Sequence, residues 1–276
     1  MLRPTLISCI LLILLFTGCE DSPTSVQNSD AVYTTFGGSF DDEGTAVTQT
    51  PDGGYLVVGS SYSATTLSDM YVIKTNSLGV EVSDSIFTEI TGDAVTSFDL
   101  ISDVKVLADG GYILVGSKFS TDTNYDVWLV KLNADLSVSF FKTFDGGSSN
   151  GNDFGYSVNL CDDNGFIIAG KTFGANGYDM WIIKTNAAGD LDTAFGANVP
   201  DDDTVSTGKF NIDGTEGGND AAYSVSQTND GGYIVTGSTE SYGNGNSDIW
   251  LIRLAPEPGC TEEEACNYNP YATEDN

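Results

Sequence analysis

The stretch from Asp52 to Lys74 occurs four times in this chain, and that recurrence constrains the fold more than any other feature. The copies read DGGYLVVGS…DMYVIK from Asp52, DGGYILVGS…DVWLVK from Asp109, DNGFIIAGK…DMWIIK from Asp163 and DGGYIVTGS…DIWLIR from Asp230. Their aromatic markers, Tyr55, Tyr112, Phe166 and Tyr233, are spaced by 57, 54 and 67 residues. A repeat of this length, made of several short strand patterns, is the sequence signature of a propeller blade.

One repeat reads as four antiparallel strands. An alternating stretch such as Tyr156-Ser157-Val158-Asn159-Leu160 opens it, and alternation is the mark of a strand. Asp-Gly-Gly or Asp-Asn-Gly then makes a tight hairpin. Two nearly unbroken apolar runs follow, such as Tyr55 to Gly59 and Val127 to Leu132. Runs without alternation suit strands covered on both faces, as when blade packs on blade. A more polar strand such as Ser139 to Phe144 completes the unit. The last repeat stops after its third strand, at Leu254, while Val32 to Gly38 matches the fourth-strand pattern of Phe141 to Gly147. The expected fold is therefore all-β: a β-propeller of four-stranded antiparallel blades, four in number, closed by the N-terminal strand. An open arc is the alternative. The longer third spacing places an insertion between Asp192 and Thr207, and Asp201, Asp202 and Asp203 make it a candidate binding loop or a solvated acidic excursion.

Three aspartate sets recur in register. Asp52, Asp109, Asp163 and Asp230 head the hairpins, where a carboxylate accepts nearby backbone N–H groups. Asp69, Asp126, Asp179 and Asp248 stand two residues before Tyr71, Trp128, Trp181 and Trp250, rings expected as buried anchors between blades. Asp42, Asp99, Asp153 and Asp220 precede the first strand of each repeat. Four carboxylates converging there at a channel mouth would repel one another unless a cation intervened, which makes them candidate Ca²⁺ ligands. No other cofactor is expected.

The chain has 276 residues, a net charge of −30 and no histidine. That charge argues against a nucleic-acid partner, whose phosphates need Lys and Arg. It also argues against peripheral binding to an anionic membrane face. Without histidine there is no Ser-His-Asp triad, no Cys-His dyad and almost no zinc chemistry. A carboxylate pair of the glycosidase kind remains open. Tyr62, Tyr125, Tyr178 and Tyr242 sit between second and third strands, where exposed rings could stack on sugars or pack locally.

At the N-terminus, Arg3 precedes the apolar run Leu6 to Phe16, too short to span a bilayer comfortably. The run ends in Phe16-Thr17-Gly18-Cys19, which resembles a bacterial lipobox with Phe16 in place of the usual Leu. The resemblance implies a signal peptide over 1–18, a lipid on Cys19 and a flexible tether over 19–31. Glu20-Asp21 resembles the surface-export signal of Bacteroidota-type lipoproteins, so an outer-membrane, surface-exposed location is implied. The propeller is expected over 32–256 and an acidic Cys-containing tail over 257–276. Cys161 aligns with Thr50, Leu107 and Thr228 in a strand position and is expected to be a small buried residue. Cys260 and Cys266 could pair with each other in an oxidising compartment.

The repeat DGGY-x-[IVL]-x-G-S…D-[VI]-W-[LI]-[IV]-[KR] resembles one found in secreted and surface propeller proteins of Bacteroidota-type bacteria. The tail Gly259 to Asn276 is similar to a GCTDxxACNYNPxA module, cut before the Gly-Ser-Cys that normally follows. The first resemblance implies a surface scaffold and carries over no catalytic residue. The expectation is a lipid-anchored, non-catalytic binding or scaffolding module with an extracellular protein or glycan as partner. The alternatives are a carbohydrate-active enzyme using paired carboxylates and a calcium-stabilised structural protein.

Overall fold

The computed structural model describes residues 33–64, 67–87, 97–147, 151–174, 176–195, 208–212 and 217–255. The lipidation candidate Cys19, the tether, the loop with Asp201, Asp202 and Asp203, and the pair Cys260 and Cys266 lie outside them. Among the described residues no helix is long and apolar enough to cross a membrane.

The all-β expectation is borne out, repeat by repeat. The first blade runs β1 (Asp42–Gln49), β2 (Tyr55–Ser63), β3 (Leu67–Thr75) and β4 (Glu81–Phe87). A short β5 (Ser97–Phe98) in the connection pairs with β3 in parallel. The second blade is β6 (Leu100–Val106), β7 (Tyr112–Ser120), β8 (Asn124–Leu132) and β9 (Val138–Phe144). The third is β10 (Phe154–Leu160), β11 (Phe166–Phe173), β12 (Tyr178–Thr185) and β13 (Lys209–Ile212). The fourth is β14 (Ala221–Gln227), β15 (Tyr233–Thr239) and β16 (Asp248–Leu254). Each sheet follows chain order with antiparallel neighbours, β5 excepted.

The repeated glycines are explained by contacts. Gly53, Gly110 and Gly231 open the hairpin turn at φ of 84°, 82° and 80°, and Asn164 takes the same place at 65°. Asn tolerates that left-handed region, so DNG can replace DGG. The second glycine is required for a different reason. A Cβ on Gly54, Gly111 or Gly165 would lie 2.0, 2.5 or 2.1 Å from a carbonyl oxygen of the third strand. Every first strand carries a bulge at Thr45, Ser102, Tyr156 or Tyr223. The bulge presses a carbonyl against the glycine of the second strand, Gly59, Gly116, Gly170 or Gly237.

Burial follows from blade stacking. On β7, Tyr112 and Leu114 face the first blade, while Ile113 and Val115 face the third. A strand apolar on both faces is thus read correctly as doubly covered. Three seam cores result, between blades one and two, two and three, and three and four. Trp128 is fully buried in the first, and Trp181 is 3% exposed in the second.

The expected closure by the N-terminal strand is not what the structure shows. Among the described residues β16 pairs only with β15, and Tyr33 to Gly38 forms no strand. Phe36 instead lines a cavity together with Val57, Tyr71 and Ile73 on the free face of the first blade. The physical reason is that this apolar face has no preceding blade to cover it. Val47 shares a register position with Val104, Val158 and Val225; it is 62% exposed, they 2%, 0% and 2%. On the last blade Ile249 and Leu251 are 89% and 67% exposed, whereas Val127 and Leu129 at the same register positions are fully buried. Among the described residues no strand pairs with or covers either end of the array.

Candidate functional site

The hairpin aspartates brace turns, as expected, and do more. Asp109 and Asp163 accept the N–H of Gly111 and Gly165 at 2.9 and 2.8 Å through one oxygen. The four carboxylates also pair with the basic residue that ends the third strand: Asp52 with Lys74, Asp109 with Lys131, Asp163 with Lys184 and Asp230 with Arg253. Thr50 and Gly54, helped by Lys74, hold Asp52 down to about 2. These pairs fasten the second strand's start to the third strand's end. Cys161 sits in the turn just after β10, its N–H bonded to Gly165 O, and not within the strand. Its thiol is buried and free, and burial pushes it up to about 11.

The four channel-mouth candidates are not brought together. Asp99, Asp153 and Asp220 are 3%, 2% and 0% exposed, each sunk into its own blade. Asp153 accepts from Gly146 N at 2.7 Å and Phe173 N at 3.2 Å. Asp220 accepts from Glu240 N at 3.0 Å and the Ser241 hydroxyl at 2.8 Å. Asp42 accepts from Gly38 N at 2.7 Å. Each carboxylate fastens an incoming connection or a hairpin, so the repulsion expected of a ring does not arise.

One of the four, Asp153, instead meets Asp126 and Asp145. One oxygen from each of these three carboxylates lies within 4.8 Å of the other two. Asp126 is the third residue of β8 in blade two, Asp145 follows β9, and Asp153 leads into blade three. Burial pushes Asp126 up to about 6, with Asp145 and Asp153 adding to the rise. Burial also raises Asp153. Lys209 Nζ donates to the Asp145 carbonyl at 2.6 Å, and burial lowers its pKa. Asp126 and Asp153 are buried, at 8% and 2% exposure, and only Asp145 faces solvent. Two of the three carboxylates are thus withdrawn from solvent and the third borders it.

Beside this seam runs a line of rings that the sequence patterns did not assemble. Phe119 meets Tyr125 at 5.4 Å between centroids, Tyr125 meets Phe154 at 5.3 Å, and Phe154 meets Tyr178 at 6.2 Å. Tyr178 continues to Phe173 at 5.2 Å. Phe154 also stacks on Tyr156 at 6.4 Å, and Tyr156 reaches Tyr223 of the last blade at 5.3 Å. Lys171 Nζ stands 3.9 Å from the Tyr178 centroid. Tyr125 and Tyr178 are thus packed into the line, while Tyr223 and Phe173 show 53% and 41% of their surface. Tyr242 pairs separately with Trp250, and Tyr62 is half-buried. The signal that could have revealed the line is the ring at each bulge, Tyr156 and Tyr223, where blades one and two carry Thr45 and Ser102.

No protein-family model matches the chain, and no curated protein matches it. Solved structures of similar architecture include a protein of unknown function from Bacteroides caccae: 12% identity, TM-score 0.39, 77% of this chain and 67% of that one. An endo-arabinase from Bacteroides thetaiotaomicron aligns at 12% identity and TM-score 0.42, over 75% of this chain and 73% of that one. An α-L-arabinofuranosidase from Clostridium thermocellum aligns at 18% identity and TM-score 0.40, over 78% and 69%. At this level the likeness concerns architecture alone. It does correct one expectation. A non-catalytic module was expected because a repeat array without histidine offered no reactive constellation, yet two of these three structures are enzymes. Carboxylate chemistry needs no histidine, so the missing histidine is no ground for excluding catalysis.

Proposed function

We propose that the chain is a carbohydrate-active enzyme that lays sugar rings on the aromatic line and uses exposed carboxylates of the same end for acid–base chemistry. The observation carrying this reading is the continuity of the line across three blades, with Tyr223 and Phe173 open to solvent. Aromatic faces offer flat apolar surface to the C–H face of a sugar, while the tyrosine hydroxyls supply polar contacts. The hairpins between second and third strands lie at this same end, because antiparallel order puts them beside the first-strand starts. They bring the exposed carboxylates Asp122 and Glu240. Glu240 is oriented by Asn219, which donates its backbone N–H at 3.1 Å and its amide at 2.9 Å. In glycoside hydrolysis one carboxyl protonates the leaving oxygen while a second acts as base or nucleophile. Asp122 and Glu240 stand on hairpins with a whole blade between them, so each is proposed separately for the acid role and not as the two halves of one pair. The reading retains lipid anchoring at Cys19 at the cell surface.

The test is release of reducing ends from arabinan, galactan, xylan and β-glucan by the purified chain. Turnover of at least one is expected, with Tyr223→Ala raising KM. Asp122→Asn or Glu240→Gln should lower kcat by about 100-fold, the usual size of a general acid or base contribution. No turnover on any of these polymers overturns the proposal. Turnover unchanged in both acid variants overturns the assignment of the two carboxylates.

A further inference from the structure

We propose that the seam between blades two and three is a divalent-cation site, of Ca²⁺ type by its donors, formed by Asp126, Asp145 and Asp153. The site does not depend on the proposed enzymatic activity. Two oxygens bound to one Ca²⁺ at about 2.3–2.6 Å are at most about 5 Å apart. The three carboxylate oxygens, mutually within 4.8 Å, meet that limit.

A further observation points to a ligand. Asp126 is 8% exposed, and its Oδ1 is buried without a hydrogen-bond partner, although its other oxygen accepts from Thr123 at 2.7 Å. Thr172, 3% exposed, has a buried hydroxyl whose polar neighbour in the seam is the Asp153 carboxylate. That hydroxyl lies beside Asp153: a Cβ placed on Gly146 would sit 1.8 Å from Thr172 Oγ1 and 3.0 Å from Asp153 Oδ1. A buried polar atom is seldom left unsatisfied without a partner such as an ion or water. The four oxygens leave the remaining positions of a six- to eight-coordinate ion to water, which can enter from the exposed Asp145 side.

The neighbouring seams act as internal controls. Thr172 pairs across its blade with Asp179, and the residue in that register place one blade earlier is Lys118, opposite Asp126. In the seam between blades one and two, Lys118 brings its ammonium to 3.7 Å from Asp99. That seam contains its own cation. The seam between blades two and three has Thr172 there instead, and adds the carboxylate of Asp145. The middle seam has a positive group nearby too: Lys209 binds the Asp145 carbonyl, and its ammonium feels all three carboxylates, though it forms no ion pair with any of them among the described residues. In the seam between blades three and four, Asp179 accepts from Asn211 at 3.3 Å, and Asp220 is satisfied by its hairpin. Among the described residues only the middle seam brings three carboxylate oxygens together in this way.

The experiment is calorimetric titration of the chelator-treated full chain with Ca²⁺, with thermal melts in Ca²⁺ and in chelator. One saturable site and a higher Tm in Ca²⁺ are expected. Asp145→Asn alters an exposed side chain, so it should fold while weakening the site by about tenfold or more, since affinity follows ligand charge. Asp135→Asn, an exposed carboxylate at the other end of blade two, should bind as the unaltered chain does. Thr172→Lys should copy the first seam, abolish binding and make Tm indifferent to Ca²⁺. Absence of saturable binding, or equal binding by the unaltered chain and Asp145→Asn, overturns the proposal, and this comparison stands even if Thr172→Lys fails to fold.

Discussion

Lys118 and Asp99 form an ion pair of 3.7 Å in the first seam, with side chains only 8% and 4% exposed. Asp99 also accepts from Phe119 N at 3.4 Å. Breaking a buried pair from one side leaves an uncompensated charge, so Lys118→Met should destabilise the fold by about 3 kcal/mol or more. The double variant Lys118→Met, Asp99→Asn should recover part of that loss. Urea unfolding of the three proteins checks this. A Lys118→Met midpoint equal to that of the unaltered chain would mean the pair is solvated.

Burial pushes Asp99 up to about 6 despite Lys118, and pushes Asp126 to about 6 as well. In the unfolded chain both fall near the usual carboxylate value of about 3.9. Between about pH 4 and 6 the folded protein therefore holds protons that the unfolded chain has released. Stability from these groups is full below that window and is lost as pH rises through it, on the order of 2–3 kcal/mol each. Asp52, Asp109 and Asp230 are held low by turn donors and their basic partners. Their contribution is lost as pH falls below about 4. Melts in chelator should peak between about pH 4 and 5, and Ca²⁺ should shift the optimum upward by favouring ionised Asp126. A Tm rising steadily from pH 4 to 7 in chelator would refute the burial of these carboxylates.

The blades were legible in the sequence because their constraints are local and recur. Asp-Gly-Gly reports a left-handed turn and a close carbonyl, and an unbroken run such as Tyr112 to Val115 reports two covered faces. The closure was not legible. The segment around Phe36 has an outer-strand pattern, but two blade faces are bare, and pattern does not say which one it covers. The acidic trio was half legible. Asp126 and Asp153 recur in register, whereas Asp145 has no carboxylate counterpart in the N-terminal segment matched to it. The pairing of each hairpin aspartate with Lys74, Lys131, Lys184 or Arg253 was available from recurrence alone, since both partners repeat at fixed places.

Val47 and Val104 supply a test of the open array, because they differ only in having a blade before them. Val104→Ala removes two buried methyl groups and should cost about 2 kcal/mol. Val47→Ala, at 62% exposure, should stay within about 0.5 kcal/mol. Chemical denaturation of both variants at low protein concentration decides the matter. Equal losses would mean that another blade face covers Val47 in solution.

The two hairpin glycines should separate cleanly. Gly110 sits at φ 82°, and its register partner in blade three is Asn164 at 65°. Gly110→Asn therefore keeps a residue type the turn already accepts and should cost about 1 kcal/mol or less. Gly111→Ala would place a Cβ 2.5 Å from the Leu132 carbonyl oxygen, which belongs to the backbone of β8 and cannot rotate away. The hairpin would have to open, lengthening the Gly111 N–H bond to Asp109 and loosening the Asp109–Lys131 pair. A loss of about 2–3 kcal/mol is expected, in the range for overpacking against fixed structure. Amide exchange localises the effect: Leu107 N, bonded to Gly111 O at 2.9 Å, should exchange faster in Gly111→Ala and remain protected in Gly110→Asn.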